Sequence, residues 1–92
     1  RLINTGGEKV DPSKIETVLH STGLIENCLV YGVPDQKWGQ RVVAHITPAG
    51  VNLNHLRQAV KTKFLGPMMP KEWIKTDKIP ISEMGKSSYI LE

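Results

Sequence analysis

Backbone breakers recur so closely along this chain that only short elements can form between them. Gly6-Gly7, Asp11-Pro12, Gly23, Pro34-Asp35, Thr47-Pro48-Ala49-Gly50 and Gly66-Pro67 each interrupt a regular pattern. Proline cannot continue a helix or a central strand, and glycine is costly inside either. A membrane helix, which needs about 20 consecutive apolar residues, is excluded. The pieces belong to a chain of 92 residues, enough for one domain with a single modest core.

Each piece carries its own signal. Asp11 reads as a helix N-cap with Pro12 at the first helical position. Ile15, Val18, Leu19 and Thr22 follow at helical spacing, and Gly23 ends the run. Lys14, Glu16 and Thr17 are expected on the wet face. Ile25 to Val33 is rich in branched and aromatic residues and predicts a strand. Pro34-Asp35-Gln36-Lys37 supplies a turn, and Gln40 to Ile46 predicts an antiparallel partner. Asn52 can cap a second helix, with Leu53, Leu56, Val60 and Phe64 on one stripe until Gly66-Pro67 stops it. Trp73-Ile74-Lys75 predicts a third strand, and Ser87 to Glu92 a short last helix. The expected architecture is α+β, a small antiparallel sheet of about three strands packed with two main helices and a short C-terminal helix.

Residues able to perform chemistry are sparse. His20, His45 and His55 have no metal-ligand spacing and no partnered nucleophile, and each reads as structural. His20 falls near a helix C-terminus, where positive charge is favoured. Cys28 is the only cysteine, which excludes an internal disulfide and a cysteine-rich metal site. It reads as a small buried apolar residue, and its solitude fits a reducing, cytoplasmic compartment. Glu8 and Glu16 can share acid–base work only if the fold joins them. No self-contained active site is visible, and no metal site is expected.

Charge is uneven. Residues 1–56 hold five Lys/Arg and five Asp/Glu, whereas residues 57–92 hold seven against four, the whole of the formal +3. A basic second half suits phosphate-bearing small molecules or the solvated lysines of an ordinary surface. A small basic nucleic-acid-binding module is the other class to weigh. It needs exposed aromatics interleaved with basic residues on a sheet face. One Phe, two Tyr and two Trp without such interleaving argue against it.

Two glycine-bearing segments are more suggestive. Thr5-Gly6-Gly7-Glu8 places adjacent glycines between a strand and the proline-started helix, where a backbone can approach a ligand without a side chain between. Its spacing is that of neither a dinucleotide fingerprint nor a Walker loop. Near the other end, Gly85-Lys86 offers a lysine able to place a point charge on a phosphate oxygen.

The order of several segments says more than either alone. Gly6-Gly7-Glu8, Pro12, Ile15-Glu16, Gly32-Val33-Pro34-Asp35, Trp38-Gly39-Gln40 and Gly85-Lys86 follow one another at regular separations. Together they resemble the C-terminal domain of the superfamily of acyl- and aryl-CoA synthetases, nonribosomal-peptide adenylation domains and luciferases. There the text reads approximately G-G-E-N-I-x-P-x-E-I-E, then V-G-V-P-D-x-x-W-G-E, then P-x-T-x-x-G-K.

The resemblance implies a single mobile domain over residues 1–92, working with a large N-terminal domain that precedes it. The chain starts at Arg1-Leu2-Ile3 without methionine, and the family's hinge residue would precede Arg1, so a fragment of a longer ligase is expected. The implied reaction activates a carboxylic acid, in fatty acid metabolism for instance, with ATP and Mg2+ as an acyl-adenylate. The small domain then rotates, and CoA attacks the adenylate. A carrier-protein phosphopantetheine is the alternative acceptor. By the same resemblance Lys86 is the catalytic residue of adenylation. Thr5, Gly6, Gly7 and Glu8 line the path of the pantetheine thiol, and Trp38 lies near the CoA nucleotide. The isolated fragment is expected to be inactive.

The sequence departs from the family in three places. Met84 stands where a threonine is common, Ser87 to Glu92 replaces a basic tail, and Gly66-Pro67-Met68-Met69-Pro70 alters the loop before the third strand.

Overall fold

A computed structural model describes residues 2–79. The first element is a hairpin of two very short strands, β1 (Ile3–Thr5) and β2 (Glu8–Val10), in the register Ile3↔Val10 and Thr5↔Glu8. Gly6 and Gly7, at φ +61° and +84°, form its two-residue turn. Positive φ at both central residues is what a tight hairpin following the right-handed strand twist demands, and glycine supplies it without steric cost.

Helix α1 (Pro12–Ser21) starts as its sequence predicts, with the Asp11 carboxylate accepting from the Ser13 N–H at 3.0 Å. Ile15 and Leu19 are completely buried, each contributing about 1.5–3 kcal/mol by leaving water. One expectation for this helix fails. Glu16 is half-buried, and its Oε2 accepts from the Val30 N–H at 2.7 Å. The next strand, β3 (Asn27–Asp35), pairs with a neighbour on one side only. Its outer N–H groups need partners, and a helix carboxylate satisfies one.

Strand β4 (Gly39–Thr47) pairs antiparallel with β3 along its whole length, from Asp35↔Gly39 to Asn27↔Thr47. The turn is Gln36-Lys37-Trp38, later than the sequence suggests, because Pro34 and Asp35 remain in strand. Pro34 is tolerated there because β3 is an edge. Asp35 organises the turn by accepting from the N–H groups of Lys37 at 2.8 Å and Trp38 at 2.9 Å. The absence of a side chain at Gly32 makes room for Ile3 and Gln40, since a Cβ there would meet Ile3 Cγ2 at 2.9 Å. The Gln40 side chain in turn accepts from the Asn4 N–H at 2.8 Å, tying β1 to β4.

Helix α2 (Leu53–Val60) is capped by Asn52, whose Oδ1 accepts from the His55 N–H. It ends a turn earlier than predicted, and Phe64 reaches the core from the segment that follows. A single 3-10 turn, Gly66–Met68, leads to β5 (Glu72–Lys75). This strand pairs with β4 in parallel, Val43↔Glu72 to Ile46↔Lys75.

The α+β class stands, with two helices among the described residues. Among the described residues the sheet has five strands instead of about three, and it is mixed because β5 runs parallel to β4. Strand β4 is its centre, flanked by β3 on one side and by β1 and β5 in succession on the other. Val42, Ala44 and Ile46 face a core completed by Ile15 and Leu19 of α1 and Leu56 and Val60 of α2, so both helices cover one face. The helix expected at Ser87 to Glu92 lies outside the described residues, as does Lys86.

Candidate functional site

The tip of the first hairpin rests on the β3–β4 turn. Thr5 pairs with Gly39, and the Gly6 N–H donates to the Trp38 carbonyl oxygen at 2.9 Å. The Trp38 ring meets the turn there as well. A Cβ built on Gly6 would stand 3.3 Å from Cε3 of the Trp38 ring, tighter than ordinary packing allows. The glycine therefore does two things at once, taking a left-handed turn and letting the indole close against bare backbone.

A cleft of about 230 Å³ opens beside this contact, lined by Thr5, Gly6, Glu8, Trp38, Pro67 and Lys71, with Gly66 also on its wall. Four of the five residues that the resemblance assigns to the thiol path and the CoA nucleotide, Thr5, Gly6, Glu8 and Trp38, thus converge on one cavity. Gly7 does not line it, and nothing lies within 4 Å of where its Cβ would be.

The indole is half-buried and carries two cations. Lys37 Nζ lies 5.1 Å and Lys71 Nζ 4.6 Å from the ring centroid, both within cation–π range. Behind the turn, Asp35 is held below the usual carboxylate pKa, chiefly by the Trp38 N–H, with further help from the Lys37 N–H and from Arg41 at 3.6 Å. Arg41 Nε in turn donates to Glu72 at 2.9 Å. This network fixes the main chain that presents Trp38.

Lys71 and the Gly66-Pro67 wall come from a part of the chain where the sequence offered only a net charge and an altered loop. One signal was available. From Val51 to Lys71 the sequence contains Arg57, Lys61, Lys63 and Lys71 and no carboxylate.

The remaining candidates lie elsewhere. His20 and His55 are exposed on α1 and α2. Tyr31 Oη and His45 Nδ1 are 3.2 Å apart on the sheet face opposite the helices. Burial holds the His45 pKa down, against an opposing effect of Glu72. Burial, and then Glu16, pushes the Cys28 thiol up to about 12, which keeps it neutral. Glu8 is at the cleft and Glu16 on the β3 edge, so the fold does not pair them. Among the described residues no group of three or more His, Cys, Asp or Glu could hold a metal ion. Nor is any helix of the described residues long and apolar enough to cross a membrane.

These features define an α+β domain that presents a glycine-walled, cation-bearing cleft without a complete catalytic constellation among its described residues. Comparison with known proteins gives that description a family. Residues 14–86 match the AMP-binding enzyme C-terminal domain, and the chain belongs to this family. A feruloyl-CoA synthase of Amycolatopsis sp is 33% identical over 88 residues, covering 92% of the chain and 18% of the synthase. The 3-oxocholest-4-en-26-oate–CoA ligase of Rhodococcus rhodochrous is 36% identical over 90 residues, covering 95% and 16%. A solved Mycobacterium tuberculosis fatty acyl CoA synthetase superposes with a TM-score of 0.79 at 30% identity, over 92% of the chain and 17% of that structure. The chain thus spans less than a fifth of the length of these relatives.

Proposed function

We propose that this chain is the mobile C-terminal domain of an acid–thiol ligase that activates a carboxylic acid with ATP and transfers the acyl group to CoA. The observation that carries the reading is the closure of the Gly6 turn onto Trp38 beside a cleft holding Lys71. Such a cleft suits a long, narrow substrate with a nucleotide at one end. Bare backbone at Gly6 leaves space for a slender pantetheine arm, while the indole offers a face for the base.

In this reading the carboxylic acid, most of ATP and its Mg2+ fall to a large N-terminal domain, as the family membership implies. Lys86 is the residue this domain lends to adenylation. A preplaced ammonium stabilises charge developing at the α-phosphate, and moving it away clears the path for the thiol. Rotation of the domain exchanges Lys86 for the hairpin cleft, so one site serves two half-reactions. A cytoplasmic location is in keeping with the unpaired Cys28.

The test uses the full-length protein and measures its half-reactions separately. Acid-dependent pyrophosphate exchange should proceed without a thiol, and thioester should form on adding CoA. Trp38→Ala should raise the KM for CoA and leave exchange unchanged. If a phosphopantetheinylated carrier protein is acylated and CoA is not, the acceptor is the carrier. If Trp38→Ala abolishes exchange as well, the cleft has been assigned to the wrong step.

A further inference from the structure

We propose that Arg41, Glu72 and His45 form a proton-sensitive brace on the open face of the sheet, positioning the Trp38 turn against the start of β5 and loosening when His45 takes up a proton. The inference rests on the CoA-ligase reading above and adds a means of regulation to it. Arg41, Glu72, His45 and its neighbour Tyr31 all lie outside the segments that carried the family resemblance.

Strand register gathers these groups. Val43 of β4 stands between Tyr31 of β3 and Glu72 of β5. Arg41 and His45 are two residues before and after Val43, so both side chains leave the sheet on the same face. Arg41 is the hub. Its Nε donates to Glu72 Oε1 at 2.9 Å, and its Nη1 donates to the Pro34 carbonyl oxygen at 3.3 Å and lies 3.6 Å from Asp35 Oδ2. The other oxygen of Asp35 accepts from the Lys37 and Trp38 N–H groups. One guanidinium thereby ties the end of β3 and its turn to the first residue of β5. Glu72 directly follows Lys71, whose ammonium lies over the Trp38 ring, so the brace sets the spacing between these two.

The group in this cluster able to titrate near neutrality is His45. Its Nδ1 lies 3.2 Å from Tyr31 Oη, with the two rings 6.0 Å apart. A neutral imidazole can accept the hydroxyl proton there. An imidazolium can only donate, and the Tyr31 hydroxyl proton must turn away. The new charge also stands in the field of Glu72, which acts on both Tyr31 and His45. Imidazolium and guanidinium then compete for one carboxylate, and the Arg41–Glu72 bond weakens. The other polar groups facing His45 do not change. Burial, and then Glu72, pushes the Tyr31 pKa up, Asp35 is held below the usual carboxylate range, and Arg41 is always cationic.

Burial keeps the His45 pKa below the ordinary imidazole value of 6.5, while Glu72 acts in the opposite sense. The brace is therefore intact at neutral pH. A folded pKa below the unfolded one means that its contribution is complete above about pH 6.5 and is lost as pH falls through the folded value. Once the Arg41–Glu72 bond weakens, the turn keeps its Asp35 contacts but loses its fixed spacing from Lys71. In the reading above, CoA binding needs that spacing and adenylation does not.

In the full-length ligase, the KM for CoA is followed from about pH 8 down to about pH 5.5 for wild type, His45→Phe and His45→Gln, beside acid-dependent pyrophosphate exchange. Over the acid range the wild-type KM should rise about two- to fivefold more than that of either variant, the effect one partly exposed ion pair commands. The phosphates of CoA titrate alike for all three proteins, so the ratio of wild type to variant reports His45. Neither kcat nor exchange should show this difference. Glu72→Gln should raise the KM for CoA by a similar factor already at neutral pH and remove the acid step. Coincident profiles for wild type and both His45 variants would overturn the proposal. So would an acid step shared equally by exchange, one that persists in full in Glu72→Gln, or one that follows the fraction unfolded in melts over the same pH range. Failure of the underlying reading looks different, because wild type would then form no thioester with CoA at any pH.

Discussion

Gly6 and Gly7 offer an internal control for the role of the hairpin tip. Both have positive φ, +61° and +84°, so an alanine at either position meets a similar backbone penalty, about 1–2 kcal/mol for an L-residue in the left-handed region. Their surroundings differ. The new Cβ at position 6 would lie 3.3 Å from Trp38 Cε3, whereas at position 7 nothing lies within 4 Å. Trp38 cannot yield by shifting its backbone, because its N–H is held by Asp35 and its carbonyl by the Gly6 N–H. The ring must tilt instead, by a few tenths of an ångström, and take the cleft wall with it. In the full-length protein, Gly6→Ala and Gly7→Ala should destabilise the small domain comparably. Only Gly6→Ala should slow thioester formation further, by about tenfold, given that a misplacement of about 1 Å can cost about 10²-fold. Gly6→Leu, which adds bulk to the same wall, should nearly abolish that step. Pyrophosphate exchange should stay within a few-fold of wild type in all three. Equal thioester defects in the two alanine variants would refute the reasoning, since backbone strain alone would then account for both.

Three further expectations follow from named groups. Lys86→Ala in the full-length ligase should slow adenylation by about 10²–10³-fold, the usual effect of removing one preorganised electrostatic group, while supplied acyl-adenylate is still converted to thioester; an equal loss in both steps would remove Lys86 from its assigned role. Glu16→Ala leaves the Val30 N–H without that carboxylate at the sheet edge and should cost about 1–3 kcal/mol, read as a lower denaturation midpoint; an unchanged midpoint would mean that water replaces the carboxylate. The Cys28 thiol should resist alkylation at pH 8 until the domain is unfolded, since its folded pKa is near 12. Because that folded pKa lies above the unfolded one, the thiol's contribution to stability is complete below about pH 9 and is lost as pH rises toward 12. A Cys28→Ala variant whose stability declines as steeply over that alkaline range would refute the linkage.

The parts of this domain legible from its sequence are those whose cause is local. Asp11-Pro12 and Asn52 start helices because a side-chain oxygen and a fixed φ act within one turn. Branched and aromatic residues on either side of Pro34 to Lys37 announced β3 and β4 because strand pairing across a short turn is nearly a local event. The role proposed for Lys86, which lies outside the described residues, rests on sequence resemblance alone. The elements that escaped prediction depend on distant partners. Strand β2, three residues long, is too short for periodicity to register, and its hairpin with β1 exists because Ile3 and Val10 reach the shared core and Asn4 finds Gln40. The parallel direction of β5 follows from the route the chain takes through α2 to the open side of β4. Glu16 lies at a position expected to be wet, and only the placement of β3 beside α1 gives its carboxylate an N–H to bind. The meeting of Gly6, Trp38 and Lys71 is likewise tertiary. Each comes from a separate segment, and they converge because burying Val42, Ala44 and Ile46 beneath two helices brings the first hairpin and the start of β5 to the same side of β4. Local chemistry determined which elements this chain could form, while closure of the core over β4 decided which side chains would face one another across the cleft.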